Sequence, residues 1–209
     1  MRNIEALLKT VDAATLGLNF VSDRLQSGTF GRKEGLVANF AVVALGLSRG
    51  LCCLARYNLN TAAFALERPI TETVMRALWI YSCAGDPEID RIVADDEKVY
   101  GYWIDMHKAV DAALGHATDE KAARETWRRL NSATHTGTDH LLNHVGSGGR
   151  LEPQYTTTEL ISLVRATTGL VVSLLLLQIA SSGREDLATE ARDFYATIPG
   201  LHRLDSSEN

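Results

Sequence analysis

The sequence predicts an all-α fold, a single-domain helical bundle of six to seven helices. Apolar residues recur every three or four positions along most of the 209 residues, and no segment alternates as a strand does. The hydrophobic fraction of 45% and the charged fraction of 22% are typical of a globular protein with one core. We therefore expect residues 1–200 to form one helical domain and residues 201–209 a flexible C-terminal tail.

The first half of the chain predicts three helices. The first is expected over residues 3–25 and ends at Gly28 and Gly31, and the second over residues 33–57. The third is expected over residues 60–83 and contains Pro69 in its interior. A proline there lacks the amide proton and its ring opposes the carbonyl four residues back, so the third helix should be kinked.

The second half predicts shorter helices before one long apolar helix. "AGDPE" opens a helical stretch to about residue 114, interrupted near residues 94–96. Another helix opens at Thr118 and ends before a break at residues 132–140, after which a short helix is expected to residue 145. Thr156 and Glu159 form a capping box ahead of the apolar helix. The final helix is expected over residues 185–196.

Composition excludes several classes of protein. A net charge of −5 and a pI near 5.7 argue against coating nucleic acid through the overall field, although a local basic patch can still bind RNA. The three cysteines contain no C-x-x-C pair and make a poor disulfide framework. The longest apolar run, residues 169–180, is shorter than the roughly 20 residues that span a bilayer. We expect a cytoplasmic protein without membrane or cofactor.

Arg129 and His135 are the candidate catalytic residues. They are separated by five residues, at the end of a helix and just beyond it. In a metal-independent ribonuclease, an imidazole takes the proton of a ribose 2′-hydroxyl and a guanidinium stabilises the charge that builds on the phosphorane. Asn131, Thr136 and His140 are candidate binding residues beside them. In the competing interpretation, Arg129 pairs with a neighbouring acid and His135 caps the helix end.

A metal site is a further alternative at the same junction. His140 and His144 are four residues apart and would share a helix face, with Asp139 beside them and His135 as a third nitrogen ligand. The chain lacks the Glu-x-x-His and His-Glu-x-x-His patterns of helical metalloenzymes. We therefore expect no metal.

Arg68, Glu72 and Arg76 follow one another at four-residue steps and form a stripe on the third helix. They are candidate binding residues, because two guanidinium groups beside an aromatic ring can hold a phosphate or a carboxylate. Equally, they can form an ion-pair ladder that holds two helices together. The rings of residues 99–107 have no basic residues interleaved among them, so a dimer interface or a core is expected there rather than base stacking.

Three segments resemble an uncharacterised bacterial all-helical family. Its pattern combines an "A-x-x-R-P-x-x-E-x-x-x-R-x-x-W" helix, an "L-N-x-x-T-H-T-G" junction and a "P-x-Y" loop, and the resemblance covers about residues 49–180. The matching residues are Ala65, Arg68, Pro69, Glu72, Arg76 and Trp79, then Leu130, Asn131, Thr134, His135, Thr136 and Gly137, and finally Pro153 and Tyr155. The resemblance implies a helical fold and candidate residues but no reaction.

The Arg129-to-His135 spacing also resembles the Arg-x4–6-His motif of the HEPN superfamily. That superfamily usually has a polar residue after the arginine, where this chain has Leu130. The resemblance implies a homodimer that cleaves or binds RNA in a toxin or phage-defence setting, with Arg68 and Arg76 as accessory phosphate ligands. The alternative is a non-catalytic helical interaction or dimerisation protein, in which the same residues form structural polar networks with a protein partner.

Overall fold

The computed structural model describes residues 2–25, 30–134, 155–199 and 201, and within them every regular element is helical. The all-α prediction is confirmed, but the helices outnumber the six to seven expected because two predicted helices are subdivided. In chain order they are α1 (Arg2–Ser22), α2 (Arg32–Arg56), α3 (Asn60–Ala65), α4 (Glu67–Ser82), α5 (Asp86–Val93), a 3-10 turn (Glu97–Tyr100), α6 (Trp103–Ala113), α7 (Glu120–Thr134), α8 (Thr157–Ser181) and α9 (Glu185–Thr197).

The predicted third helix is two helices, and the expected kink at Pro69 is not seen. The chain turns at Leu66, whose backbone N–H bonds to the carbonyl of Ala63 at 3.1 Å. Helix α4 starts at Glu67, so Pro69 lies in its first turn. The first-turn N–H groups of a helix have no intrahelical acceptor, and a proline there therefore costs no hydrogen bond.

Helix α8 is the centre of the bundle and packs against α1, α2, α4 and α9. Its start agrees with the sequence prediction. The N–H of Thr156 donates to Glu159 Oε2 at 2.7 Å, and the N–H of Glu159 donates to Thr156 Oγ1 at 3.2 Å, which completes the capping box. Buried residues lie on several sides of α8, as expected for a helix surrounded by others.

Close contact between α1 and α9 depends on a glycine. An ideal Cβ built on Gly17 would lie 3.0 Å from the ring of Tyr195 and 3.2 Å from the side chain of Ile198. One turn further, the rings of Phe20 and Phe194 stack with centroids 3.6 Å apart. A side chain at position 17 would therefore push α9 away from α1.

Gly17→Val is expected to lower the free energy of unfolding by about 1–3 kcal/mol, the usual cost of overpacking a core. The control is Gly46→Ala, at an exposed helical position where nothing lies within 4 Å of the added Cβ. That change should raise stability by about 0.5–1 kcal/mol through helix propensity. Urea denaturation of both variants measures the two free energies of unfolding. If Gly17→Val unfolds with the free energy of the wild type, α9 does not pack against α1 as described.

The interruption expected near residues 94–96 is confirmed. Helix α5 ends at Val93, Asp95 has a positive φ of 63°, and the carboxylate of Asp96 accepts the N–H of Lys98 at 3.1 Å. This turn separates α5 from α6. Helix α6 packs against α4 and α7, and α7 packs against α3, α4 and α6.

Two helices, α2 and α8, are long and apolar enough to cross a membrane by length and composition alone. Their most apolar 18-residue windows have mean hydropathies of 1.7 and 2.1, and 39% and 50% of those windows are buried in the fold. The uninterrupted apolar run at residues 169–180 is shorter than the helix that contains it, which has 25 residues. Core helices of soluble proteins meet the same criterion, so the expected absence of a membrane stays a prediction.

Candidate functional site

Helices α4, α6 and α7 line an open cavity of about 880 Å³. This volume lies within the range of sites that bind small ligands, about 300–1,000 Å³. The cavity combines basic, aromatic and acidic side chains. Its lining comprises Arg68, Glu72 and Arg76 of α4, residues 100–106 at the start of α6, and Arg124, Trp127, Arg128 and Asn131 of α7. We call it the α4–α6–α7 cavity.

Helical spacing explains why these side chains converge. The cavity residues of α4 recur every four positions, while Ile70, Val74 and Ala77 on another side of that helix are buried. On α7 the cavity residues follow the pattern i, i+3, i+4 and i+7, and Leu130 is fully buried. Each helix thus has a buried face and an adjacent face on the cavity.

Arginine side chains lie over aromatic rings inside the cavity. The Arg68 guanidinium is 4.8 Å from the centroid of the Trp127 ring, and that of Arg76 is 4.9 Å from the Tyr100 ring. Trp127 also stacks on Trp103, with centroids 4.8 Å apart. Cation–π contacts of this kind hold the guanidinium groups in place while leaving N–H donors for other partners.

The cavity has an excess of positive charge in a protein whose net charge is −5. Four arginines line it against two carboxylates, those of Glu72 and Asp105. Arg68 Nε donates to Glu72 Oε1 at 2.7 Å. Arg76, by contrast, makes no hydrogen bond or ion pair with any residue that the structure describes, and Tyr100 is the partner found for its guanidinium. An uncompensated guanidinium in a cavity is suited to an anion.

The start of α6 forms one edge of the cavity. Gly101 has a positive φ of 64°, which an L side chain rarely adopts, and it turns the chain into the helix. No side chain caps the first turn of α6. Tyr102 projects from this edge with 80% of its surface exposed. The edge therefore offers an accessible aromatic ring close to arginines from the neighbouring helices.

Arg129 does not line the cavity; it forms a clasp between α7 and the first residue of α4. Its Nη1 donates to Glu67 Oε2 at 2.6 Å and its Nη2 to Glu67 Oε1 at 2.7 Å. Glu67 is buried, whereas the Arg129 side chain is about half exposed. The hydrogen bonds to Glu67 raise the pKa of the Arg129 guanidinium, so Arg129 stays charged. We call this pair the Glu67–Arg129 clasp.

The structure brings some predicted site residues together and separates others. Arg68, Glu72, Arg76 and Asn131 line one cavity, while Arg129 belongs to the clasp. The other predicted residues of the junction lie outside the described residues. These are His135, Thr136 and His140, together with Asp139 and His144 of the metal hypothesis. Among the residues that are described, no group of three potential metal ligands is found.

Sequence reasoning predicted Asn131 as a binding residue but missed the other residues that α7 contributes to the cavity. Arg124, Trp127 and Arg128 line the cavity, and their spacing with Asn131 was the available signal. The rings of residues 99–107 were expected to lack interleaved basic residues. No basic residue lies between these rings in the sequence. In the folded protein, however, arginines of α4 lie over the rings of residues 100 and 127, and α7 contributes further arginines to the cavity. Tyr100 and Trp103 are buried in the core, one of the two expected outcomes, and both also line the cavity.

A family model described as a family of unknown function, DUF6988, matches residues 41–201. This chain belongs to that family. The DUF6988 region contains every residue of the α4–α6–α7 cavity and both residues of the clasp, whereas α1 and the start of α2 precede it. Membership agrees with the resemblance to an uncharacterised helical family. No curated protein and no solved structure matches the chain.

Proposed function

We propose that the protein binds RNA in the α4–α6–α7 cavity. The observation that carries the proposal is Arg76, a half-buried guanidinium that faces a cavity with three further arginines and has no acidic partner among the described residues. Phosphate is the usual partner of clustered arginines, since charge-assisted hydrogen bonds to its oxygens are strong and directional.

Aromatic rings beside the arginines favour a nucleic acid over a simple phosphate. Proteins that bind single strands combine basic side chains along the backbone with rings on which bases stack. Tyr102 is 80% exposed at the cavity edge and is the ring best placed to receive a base. Binding at a local site of this kind is compatible with an acidic protein, because the positive charge is concentrated in the cavity.

RNA cleavage is the finer form of the proposal, supported by the HEPN-like Arg129-to-His135 spacing. His135 would take the proton of a ribose 2′-hydroxyl, and the resulting oxygen would attack the adjacent phosphorus to form a 2′,3′-cyclic phosphate. The 5′-oxygen of the next nucleotide would leave and take a proton from water. Arg129 would stabilise the charge on the phosphorane once released from Glu67. A cytoplasmic homodimer in a toxin or phage-defence setting belongs to the same proposal.

Binding is tested with a fluorescently labelled single-stranded oligoribonucleotide at several salt concentrations. Each phosphate neutralised on a single strand contributes about −0.7 to the slope of log K against log salt. Two to four contacting arginines therefore predict a slope of about −1.5 to −3. The proposal is contradicted if the affinity does not change with salt concentration, or if the anisotropy does not rise above that of the free oligoribonucleotide at low salt.

Cleavage is tested on total RNA in EDTA, with His135→Ala as the variant. Loss of cleavage in a variant that melts like the wild type assigns the base. If neither protein cleaves while both bind, RNA binding stands and the nuclease hypothesis is rejected.

For Arg129, one observation favours the competing interpretation, in which the protein is a non-catalytic interaction protein and this residue has a structural role. Its bidentate pairing with the buried Glu67 is the arrangement of a structural polar network that ties α7 to α4. In that case Arg129→Ala lowers stability without changing RNA affinity at temperatures where the variant is folded. The cavity residues and the clasp residues thus give separable variants.

A further inference from the structure

Asp105 is a carboxylate of the α4–α6–α7 cavity that pairs with none of the described arginines. It lies in the first turn of α6, is exposed, and lines the cavity together with four arginines. The other carboxylate of the cavity, Glu72, pairs with Arg68. The side chain of Asp105 makes no hydrogen bond or ion pair with any described residue, so the arginines around the cavity leave it available.

A free carboxylate in a phosphate-binding cavity has a definite consequence. It repels the phosphate and lowers affinity, unless the ligand compensates with a hydrogen-bond donor. An ionised carboxylate only accepts hydrogen bonds, and a phosphodiester has no proton to donate. The ligand that fits both the arginines and Asp105 therefore carries a donor next to its phosphate.

Ribose supplies that donor, and deoxyribose does not. We infer that Asp105 accepts a hydrogen bond from a ribose 2′-hydroxyl and makes the cavity selective for RNA over DNA. The inference rests on the proposed function, because it names the group of the bound strand that Asp105 contacts. The phosphates of DNA would be repelled by Asp105 in the same way, but deoxyribose would not donate the compensating hydrogen bond. A polar site discriminates in this manner against a ligand that lacks one hydroxyl.

The position of Asp105 in α6 fits this role. It follows the exposed Tyr102 by three residues, so both belong to the same turn at the cavity edge, while the arginines come from α4 and α7. In a nucleotide the sugar joins the base to the phosphate. A base stacked on Tyr102 and a phosphate held by the arginines place the sugar next to the start of α6.

The test compares two labelled 12-mers that differ only at the 2′ position, oligouridylate and oligodeoxyuridylate. The wild type is expected to bind the RNA at least about tenfold more tightly than the DNA, as loss of one hydrogen bond to a charged group predicts. Asp105→Ala should bring the two affinities within about twofold, mainly because DNA binding improves. Asp105→Asn, which keeps the shape of the side chain, should shift DNA affinity in the same direction.

Asp186→Ala is the matched control, since Asp186 is an acid in the first turn of α9 and does not line the cavity. It should leave the selectivity unchanged. Equal binding of both oligomers by the wild type, or full selectivity in a folded Asp105→Ala variant, overturns the inference while RNA binding stands. If the wild type binds neither oligomer, the proposed function itself fails, and the inference with it.

Discussion

Arg129→Ala is expected to lower the free energy of unfolding by about 2–3 kcal/mol. The change removes two hydrogen bonds from the buried carboxylate of Glu67 and leaves that charge without its partner. Breaking a fully buried ion pair costs about 3–5 kcal/mol, and the half-exposed Arg129 side chain places this pair below that range. Urea denaturation followed by circular dichroism measures the difference.

A double-mutant cycle separates the clasp from other effects of the substitution. Glu67→Gln removes the buried charge, so a second change, Arg129→Ala, should then cost less than about 0.5 kcal/mol. Arg128→Ala is the neighbouring control, because Arg128 is exposed and lines the cavity instead of the clasp. Additive losses in the Glu67–Arg129 cycle would contradict the clasp.

Arg128 and Arg129 are adjacent in the sequence but have different neighbours, and spacing along the chain does not predict which neighbours they have. Arg129 was chosen for its distance from His135, a criterion that ignores which face of α7 a side chain occupies. Consecutive residues of a helix point about 100° apart. Arg128 consequently shares a face with Arg124 and Asn131, while Arg129 reaches Glu67. The helical face was predictable from the sequence, but the identity of the neighbour on each face was not.

The third helix is a second case. Periodicity predicted one helix over residues 60–83, whereas the chain forms two helices separated at Leu66, each with buried residues. A proline is compatible with either a kink or a first turn, and periodicity does not distinguish them. Packing of α4 against α2 and α8 is a tertiary property that fixes where the helix begins.

The cavity is formed by residues from several segments, so one segment of sequence predicts only part of it. The stripe of Arg68, Glu72 and Arg76 was predicted, with an ion-pair ladder as the alternative. Part of the ladder is present, because Arg68 pairs with Glu72, while Arg76 has no acidic partner among the described residues. The acid that pairs with Arg68 lies on the same helix, whereas the rings beside Arg76 and Arg68 lie 24 and 59 residues further along the chain.

Arg76→Glu is expected to weaken binding of single-stranded RNA about a hundredfold at low salt. The change removes a guanidinium that is free to contact a phosphate and places a like charge beside the strand. Arg76→Lys keeps the charge but loses the planar donors, so a loss of about three- to tenfold is expected. Fluorescence anisotropy with the labelled oligoribonucleotide, at matched ionic strength, gives both values.

Arg192→Glu is the control for net charge, since Arg192 is exposed on α9 and does not line the cavity. It changes the overall charge by the same amount and should reduce RNA affinity less than about threefold. Thermal melts of all three variants exclude unfolding as the cause. A reversed charge inside the cavity repels a bound phosphate strongly. If the folded Arg76→Glu variant binds RNA at low salt as tightly as Arg192→Glu does, the α4–α6–α7 cavity does not bind RNA.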